Sequence, residues 1–340
     1  MQICKNILYS YNQILISLKK LEFKPIYFLT GDEPYFIDNI ANLVKNKSIM
    51  DGDRDFNQNI FYGKDTSVDE IISACKQYPM MSNKRLVLVR EAQELARTIH
   101  KFENYFDNPL DTTILVICFK YKKIDKRKKF FKSLSKNGIF FDGKKLYENQ
   151  IPSWIESHAN NYGLKIDLRA ASLMSENTGS DLSKIDSNLK KLLLAAGNAK
   201  TITSDDIEIY IGVNKEFNNF ELRNAIGDGN KLKAFKIARY FGKNSKKNPA
   251  ILTISSLYDF FLQILKYHSL KSKNPQFVSN ELGIHPYFVK DLEKASKRYP
   301  IKSITPILRR IRQSDLTLKG INSVTLTEFE ILKQLLIRII

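Results

Sequence analysis

The sequence predicts a multidomain chain in which a mostly parallel α/β domain precedes all-α domains. Three observations carry this reading. Continuous apolar runs of largely β-branched residues, RLVLV and TILVICF, alternate with helix-periodic segments as far as residue 145 or so. Beyond that the strand signal stops, and amphipathic helical segments follow one another. At 340 residues the chain exceeds one ordinary core, so about two or three domains are expected.

The elements read in order. Residues 6–21 place apolar side chains at helical spacing, and 26–29 form a short apolar strand. A turn at Thr30-Gly31-Asp32 leads into a helix with Pro34 in its first turn. A second strand falls at 59–62. Val68, Ile71, Ile72, Cys75 and Tyr78 then line one face of a helix that Pro79 ends. The runs 85–89 and 113–119 read as strands covered on both faces, and a last strand falls at 138–141. From residue 146 a helix starts after Pro152, with Trp154, Ile155 and His158 on one face. Segments 168–177, 182–196 and 204–211 read as short helices, with Thr203 or Ser204 as the N-cap before Asp205 and Asp206. The polar stretch 212–220 reads as a linker. Helices follow at 222–226, 232–240, 251–270, 287–297, 304–318 and 326–340, separated in part by the basic loops GKNSKKNP and LKSKNPQF.

The formal net charge of +18 favours polyanions, nucleic acid above all. Much of it lies in FKYKKIDKRKKFFKSLSKNG, where Asp125 is the only acid. Cys4, Cys75 and Cys118 are far apart and form no CxxC pair, which argues against zinc or a disulfide framework and fits a reducing compartment. His100, His158, His268 and His285 are equally scattered, so no metal set or nucleophile–base pair emerges. With no signal-peptide pattern and no apolar run near the ~18 residues of a membrane span, a soluble cytoplasmic chain is expected.

An α/β domain followed by a small helical one is the layout of nucleotide-switching ATPases. Their phosphate loop, G-x-x-x-x-G-K-[ST], wraps phosphates in backbone N–H groups and adds a Lys and a hydroxyl. After the first strand this chain offers only TGDEPYFIDN, where Asp32 and Glu33 would repel a triphosphate. At the end of VLVREAQEL, where an ATPase carries Asp-Glu, the pair is Arg90-Glu91. No catalytic residue and no cofactor are expected.

One stretch resists a purely structural reading. In QYPMMSNKRLVLVR, Met80 and Met81, two of only five methionines, follow Pro79 on a turn that should be polar. Either they fold back into the core, or they are held out for a partner.

The ordered set PIYFLTGDEPYFID, SACKQYPMMSNKRLVLVREAQEL, TTILVICFKYKKIDKRKKFFKSL and SWIESHANNYGLKID resembles the DNA polymerase III delta subunit family. The resemblance runs through essentially the whole chain and is strongest over 25–200. It implies three parts: a degenerate AAA+ (P-loop-like) parallel-sheet domain at 1–145, a small helical lid domain at 146–212 and a helical collar domain at 213–340. It also implies a non-catalytic clamp-loader subunit of a DNA-directed DNA polymerase assembly. Such a subunit grips the sliding clamp (beta subunit) through a hydrophobic pair and joins the gamma/tau and delta-prime subunits through the collar. The grip falls on Met80 and Met81, with Pro79 setting the turn, where some relatives carry leucine and phenylalanine. Primed DNA within the loader would meet basic side chains, with Lys126, Arg127, Lys128, Lys129, Arg309 and Arg312 as candidates. Two rivals stand beside this reading: an active AAA+-type ATPase, and a nucleic-acid-binding protein without a clamp partner. The related delta-prime subunit fits less well, because the chain has neither a zinc-type cysteine cluster nor a Ser-Arg-Cys segment.

Overall fold

The computed structural model describes residues 9–122, 124, 129–196, 201–321 and 326–340. The chain forms two compact units, Met1–Leu146 and Tyr147–Ile340.

In the first unit α1 (Tyr11–Lys19), β1 (Ile26–Gly31), α2 (Pro34–Ser48) and the single turn α3 (Arg54–Asn57) lead to β2 (Gln58–Tyr62). Then come α4 (Val68–Cys75), β3 (Arg85–Arg90), α5 (Glu103–Asp107), β4 (Thr113–Lys120), α6 (Lys129–Asn137) and β5 (Gly138–Gly143). The strands form one parallel sheet in the order β2-β3-β4-β1-β5. Strands β3, β4 and β1 are interior, which explains their apolar runs: with helices on both faces, the buried polar residues Thr30, Arg85 and Thr113 fall near the strand ends. Phe28, Val87, Val89, Leu115, Ile117 and Phe140 meet α4, α5 and α6 on one face, and Phe28 stacks on Phe140 at 6.1 Å. Helix α2, with Ile37, Ile40, Ala41 and Val44 buried, packs on β3 and β4 from the other side. Helix α1 begins at Tyr11, where a Ser10–Gln13 capping box closes its first turn; residues 6–8 of the expected 6–21 helix lie outside the described residues.

The second unit holds α7 (Ile151–Asn161), β6 (Lys165–Ile166), α8 (Leu168–Thr178), α9 (Leu182–Ala196), β7 (Thr201–Ile202) and α10 (Ser204–Asp206). It continues with α11 (Asn219–Asp228), α12 (Lys231–Lys243), α13 (Ala250–Ser269), α14 (Pro275–Leu282), α15 (Val289–Arg298), α16 (Ile301–Leu318) and α17 (Glu328–Ile339). Three expectations need correction. Strands do occur after residue 146: β6 and β7 pair in parallel, but at two residues each they leave no run to detect. The loop LKSKNPQF contains the start of α14, with Pro275 at its first position and the Asn274 side chain accepting the Gln276 amide at 2.9 Å. The expected helix at 204–211 is α10 followed by a π-turn, Ile207–Ile211, closed by Gly212 at φ 82°. Helix α13 lies at the core of this unit, burying Ile254, Leu257, Phe261 and Ile264 among α15, α16 and α17.

A buried polar cluster ties α7 to α9. Asp186 Oδ1 lies 2.7 Å from His158 Nε2 and accepts the Tyr162 hydroxyl at 2.6 Å, while Lys190 Nζ reaches Oδ2 at 2.7 Å. Burial alone would raise the Asp186 pKa, but the bonds from His158, Lys190 and Tyr162 outweigh it and hold it well below the usual carboxylate range. A carboxylate depressed in the folded state contributes stability above its unfolded pKa, near 3.9 in model peptides, and loses it as pH falls toward the folded value. Asp186→Ala is therefore expected to cost about 3 kcal/mol at pH 7. Its difference from the wild type should shrink below about pH 4, as read by denaturant unfolding across pH.

Candidate functional site

The residues where a phosphate loop would lie adopt a different chemistry. Gly31 takes φ +130°, and a Cβ there would sit 2.1 Å from the Gly143 carbonyl oxygen, so the G of TGDE is fixed by the close approach of β5. Glu33 is the N-cap of α2, buried, with its carboxylate accepting the Tyr35 amide at 3.2 Å. A side-chain anion thus stands at the helix N-terminus where a bound phosphate would need to be. At the C-terminal ends of β3 and β4 the Lys120 ammonium bridges Asp38 at 2.9 Å and Glu91 at 3.1 Å. Gln93 donates to Glu91 Oε2 at 2.6 Å, and Arg90 donates to Asn42 at 2.9 Å. Burial disfavours the Lys120 charge, yet the bonds to Asp38 and Glu91 prevail and raise its pKa. Glu91 is lowered, first by the Gln93 hydrogen bond and then by Lys120 and Arg90. Lys120 and Arg90 at this corner are already matched to protein carboxylates.

The turn after α4 differs from the sequence expectation in an informative way. The helix ends at Cys75, before Pro79, and Tyr78, expected on its buried face, is exposed. Pro79 has no N–H to offer the Cys75 carbonyl four residues back. The buried Thr113 hydroxyl donates to that carbonyl instead, at 2.9 Å, so the helix is closed from the sheet. The chain then passes through Pro79 to Met80, 58% exposed, and Met81, 100% exposed with φ 55°. A left-handed conformation costs a non-glycine residue roughly 1–2 kcal/mol.

Two buried polar side chains brace this turn. Asn57, 0% exposed, accepts the Met80 amide at 2.7 Å and donates to the Met80 carbonyl at 2.8 Å and to Asp53 O at 3.1 Å. Arg85 opens β3 from a buried position and donates to Gln77 Oε1 and Asn59 Oδ1, both at 2.6 Å, and to Phe56 O at 3.3 Å. The loops around α3 and after α4 are thereby tied together, and Phe56 and Tyr78 join Met80 and Met81 as exposed apolar side chains on these segments. Sequence reasoning missed Asn57, Phe56 and Tyr78. The Asn57–Met80 contact spans 23 positions, beyond any local pattern, and the period-3.6 spacing of Tyr78 pointed to burial.

Of the basic candidates, Lys126, Arg127 and Lys128 lie outside the described residues. Lys129 is exposed at the start of α6 and pairs with Glu103 at 2.7 Å. On α16, Ile304, Ile307 and Ile311 are buried while Arg309 and Arg312 are exposed, three apart as neighbouring side chains on one helix surface. Arg310 turns to the Arg338 carbonyl. Cys75 and Cys118 are buried thiols pushed up to about 12, chiefly by burial, so neither is a nucleophile at neutral pH.

Fold and site together define the class: a parallel-sheet α/β unit followed by a mostly helical unit, with the chain's own side chains filling the corner after β1 and at the ends of β3 and β4. The sequence profile for "DNA polymerase III, delta subunit" matches residues 27–144, and that for the delta subunit's C-terminal domain matches 216–334. The DNA polymerase III subunit delta of Bacillus subtilis (strain 168) is 25% identical over 313 residues, covering 89% of this chain and 90% of its own. The solved structure of the B. subtilis DNA clamp loader delta protein shares the fold at TM-score 0.55 and 23% identity, over 97% of this chain and 99% of that one. The chain belongs to this family, the delta subunits of DNA polymerase III.

The geometry of the turn separates conformational strain from side-chain packing. Met81→Gly is expected to be more stable than Met81→Ala by about 0.5–1 kcal/mol, because removing the Cβ clash at positive φ outweighs the extra conformational entropy that glycine loses on folding. Met80→Ala should stay within ~0.5 kcal/mol of the wild type, since that side chain is largely in solvent. Urea unfolding of the three variants checks both.

Proposed function

We propose that this chain is the non-catalytic subunit that grips the sliding clamp, the beta subunit, and holds one interface of its ring open for loading onto primed DNA. The observation that carries the reading is the exposed Met80–Met81 pair on a braced turn. Methionine is flexible and polarisable, so two of them fill an apolar groove without exacting shape complementarity. A turn already fixed in the free protein loses little further freedom on binding. Preferential binding to the open ring shifts the ring's population toward that state, with no chemistry in this chain.

ATP hydrolysis belongs to neighbouring loader subunits in this reading. The Glu33 carboxylate at the N-terminus of α2 and the Lys120–Asp38–Glu91 network speak against a triphosphate at this corner. The second unit divides, in the proposal, into a lid at 146–212 and a collar at 213–340 that joins the gamma/tau and delta-prime subunits. The ion pair of Glu176 with Arg223 at 2.5 Å and the Phe220 amide bond to Glu176 at 2.9 Å would couple lid to collar. Lys129, Arg309 and Arg312 contact DNA phosphates within the loader, giving salt-dependent, sequence-independent attraction. The setting is cytoplasmic, in keeping with a replication subunit, and no described helix is long and apolar enough to cross a membrane.

Binding of the full chain to its clamp, measured beside the Met80→Ala/Met81→Ala double variant, tests the grip. The wild type should bind tightly and the variant should lose about 2–4 kcal/mol, roughly 30- to 1000-fold. Undiminished binding by the double variant would move the grip elsewhere. Titration with Mg-ATP should give no saturable binding up to about 1 mM, a limit of ~4 kcal/mol. Micromolar affinity would restore the ATPase reading.

A further inference from the structure

We infer that Asn57 is a positioning residue for clamp capture: its side chain holds the Met80–Met81 turn in the binding conformation before the partner arrives. The inference rests on the proposed grip and deepens it. Three observations converge. The Asn57 amide brackets one peptide segment from both sides, accepting the Met80 N–H at 2.7 Å and donating to the Met80 carbonyl at 2.8 Å. Asn57 is completely buried while the residue it holds is more than half exposed, so its polar groups are spent on a surface turn rather than on the core. Helix α4 stops at Cys75, so neither it nor Pro79 can carry Met80 and Met81 rigidly by helical continuation.

Chemistry singles out asparagine here. Only a side-chain amide presents an acceptor and two N–H donors on one planar group, which is what a peptide N–H, the following C=O and the Asp53 carbonyl together require. Aspartate would set a carboxylate against two carbonyl oxygens, and alanine would leave the segment to water. Arg85 performs the complementary task from beneath, fixing Gln77 and the Phe56 carbonyl on the two arms of the same loop pair. Without Asn57 the turn samples other conformations, including ones that relieve the positive φ of Met81, and only a fraction of molecules present both methionines together.

The test uses the full chain and its sliding clamp. Asn57→Ala should weaken binding about tenfold, equivalent to ~1.4 kcal/mol. The loss should appear in the association rate, with the dissociation rate changed less than about twofold, because a smaller competent fraction slows capture and leaves the formed contact intact. Added to Met80→Ala/Met81→Ala, the same substitution should have no further effect. Wild-type association by Asn57→Ala, in a preparation where the methionine double variant has lost binding, overturns the inference and leaves the grip standing. Wild-type affinity in the methionine double variant removes the grip itself and the inference with it. Amide hydrogen exchange on the wild type is independent of variant folding: the Met80 amide should exchange on the order of a hundredfold more slowly than an unprotected one. Exchange at the unprotected rate would overturn the inference directly.

Discussion

Strand β3 is the constraint on which the first unit depends. Leu86 to Val89 are fully buried, and hydrogen bonds to β2 and β4 on either side fix the strand's register. A slip of one residue would carry every side chain to the opposite face, so the strand cannot adjust. Both distinctive regions hang on its ends. Arg85 at its start braces the apolar turn, and Arg90 with Glu91 at its finish enters the charge network beside Lys120 and Asp38. The strand thus holds a braced, exposed apolar turn at one end and an ion-pair network at the other.

That arrangement leaves the corner after β1 filled by the chain's own side chains. In a nucleotide-binding relative of this architecture, the helix N-terminus after β1 and the strand ends beside it are kept open for phosphate and magnesium. Here Glu33 satisfies the helix and Lys120 is taken by two carboxylates. Partly exposed ion pairs of this kind add little net stability. Their physical effect is to balance Lys120 and Arg90 with carboxylates of the chain itself.

The sheet was legible because its signal is local and dense. The runs at 85–89 and 113–119 have the pattern of doubly covered strands, and Gly31 with Pro34 marks the passage into α2. The motif order also pointed to the family, and Met80 and Met81 stood out as apolar residues on a turn. What escaped was set by distance or brevity. The end of α4 is decided by Thr113, 38 positions away, and the posture of Met80 by Asn57, 23 positions away. Strands β6 and β7 carry two residues each, below the length at which alternation exists. Basic residues were legible as charge, but sequence cannot tell an engaged arginine such as Arg310 from exposed neighbours such as Arg309 and Arg312.

A structure of this chain bound to its sliding clamp would decide whether the Met80–Met81 turn is the surface proposed to meet the clamp. Both methionine side chains should then be seated in an apolar groove of the clamp, with the Asn57 bonds to Met80 kept as they are in the free protein. A complex in which the turn stays in solvent, while the clamp rests on another face, would contradict the proposal.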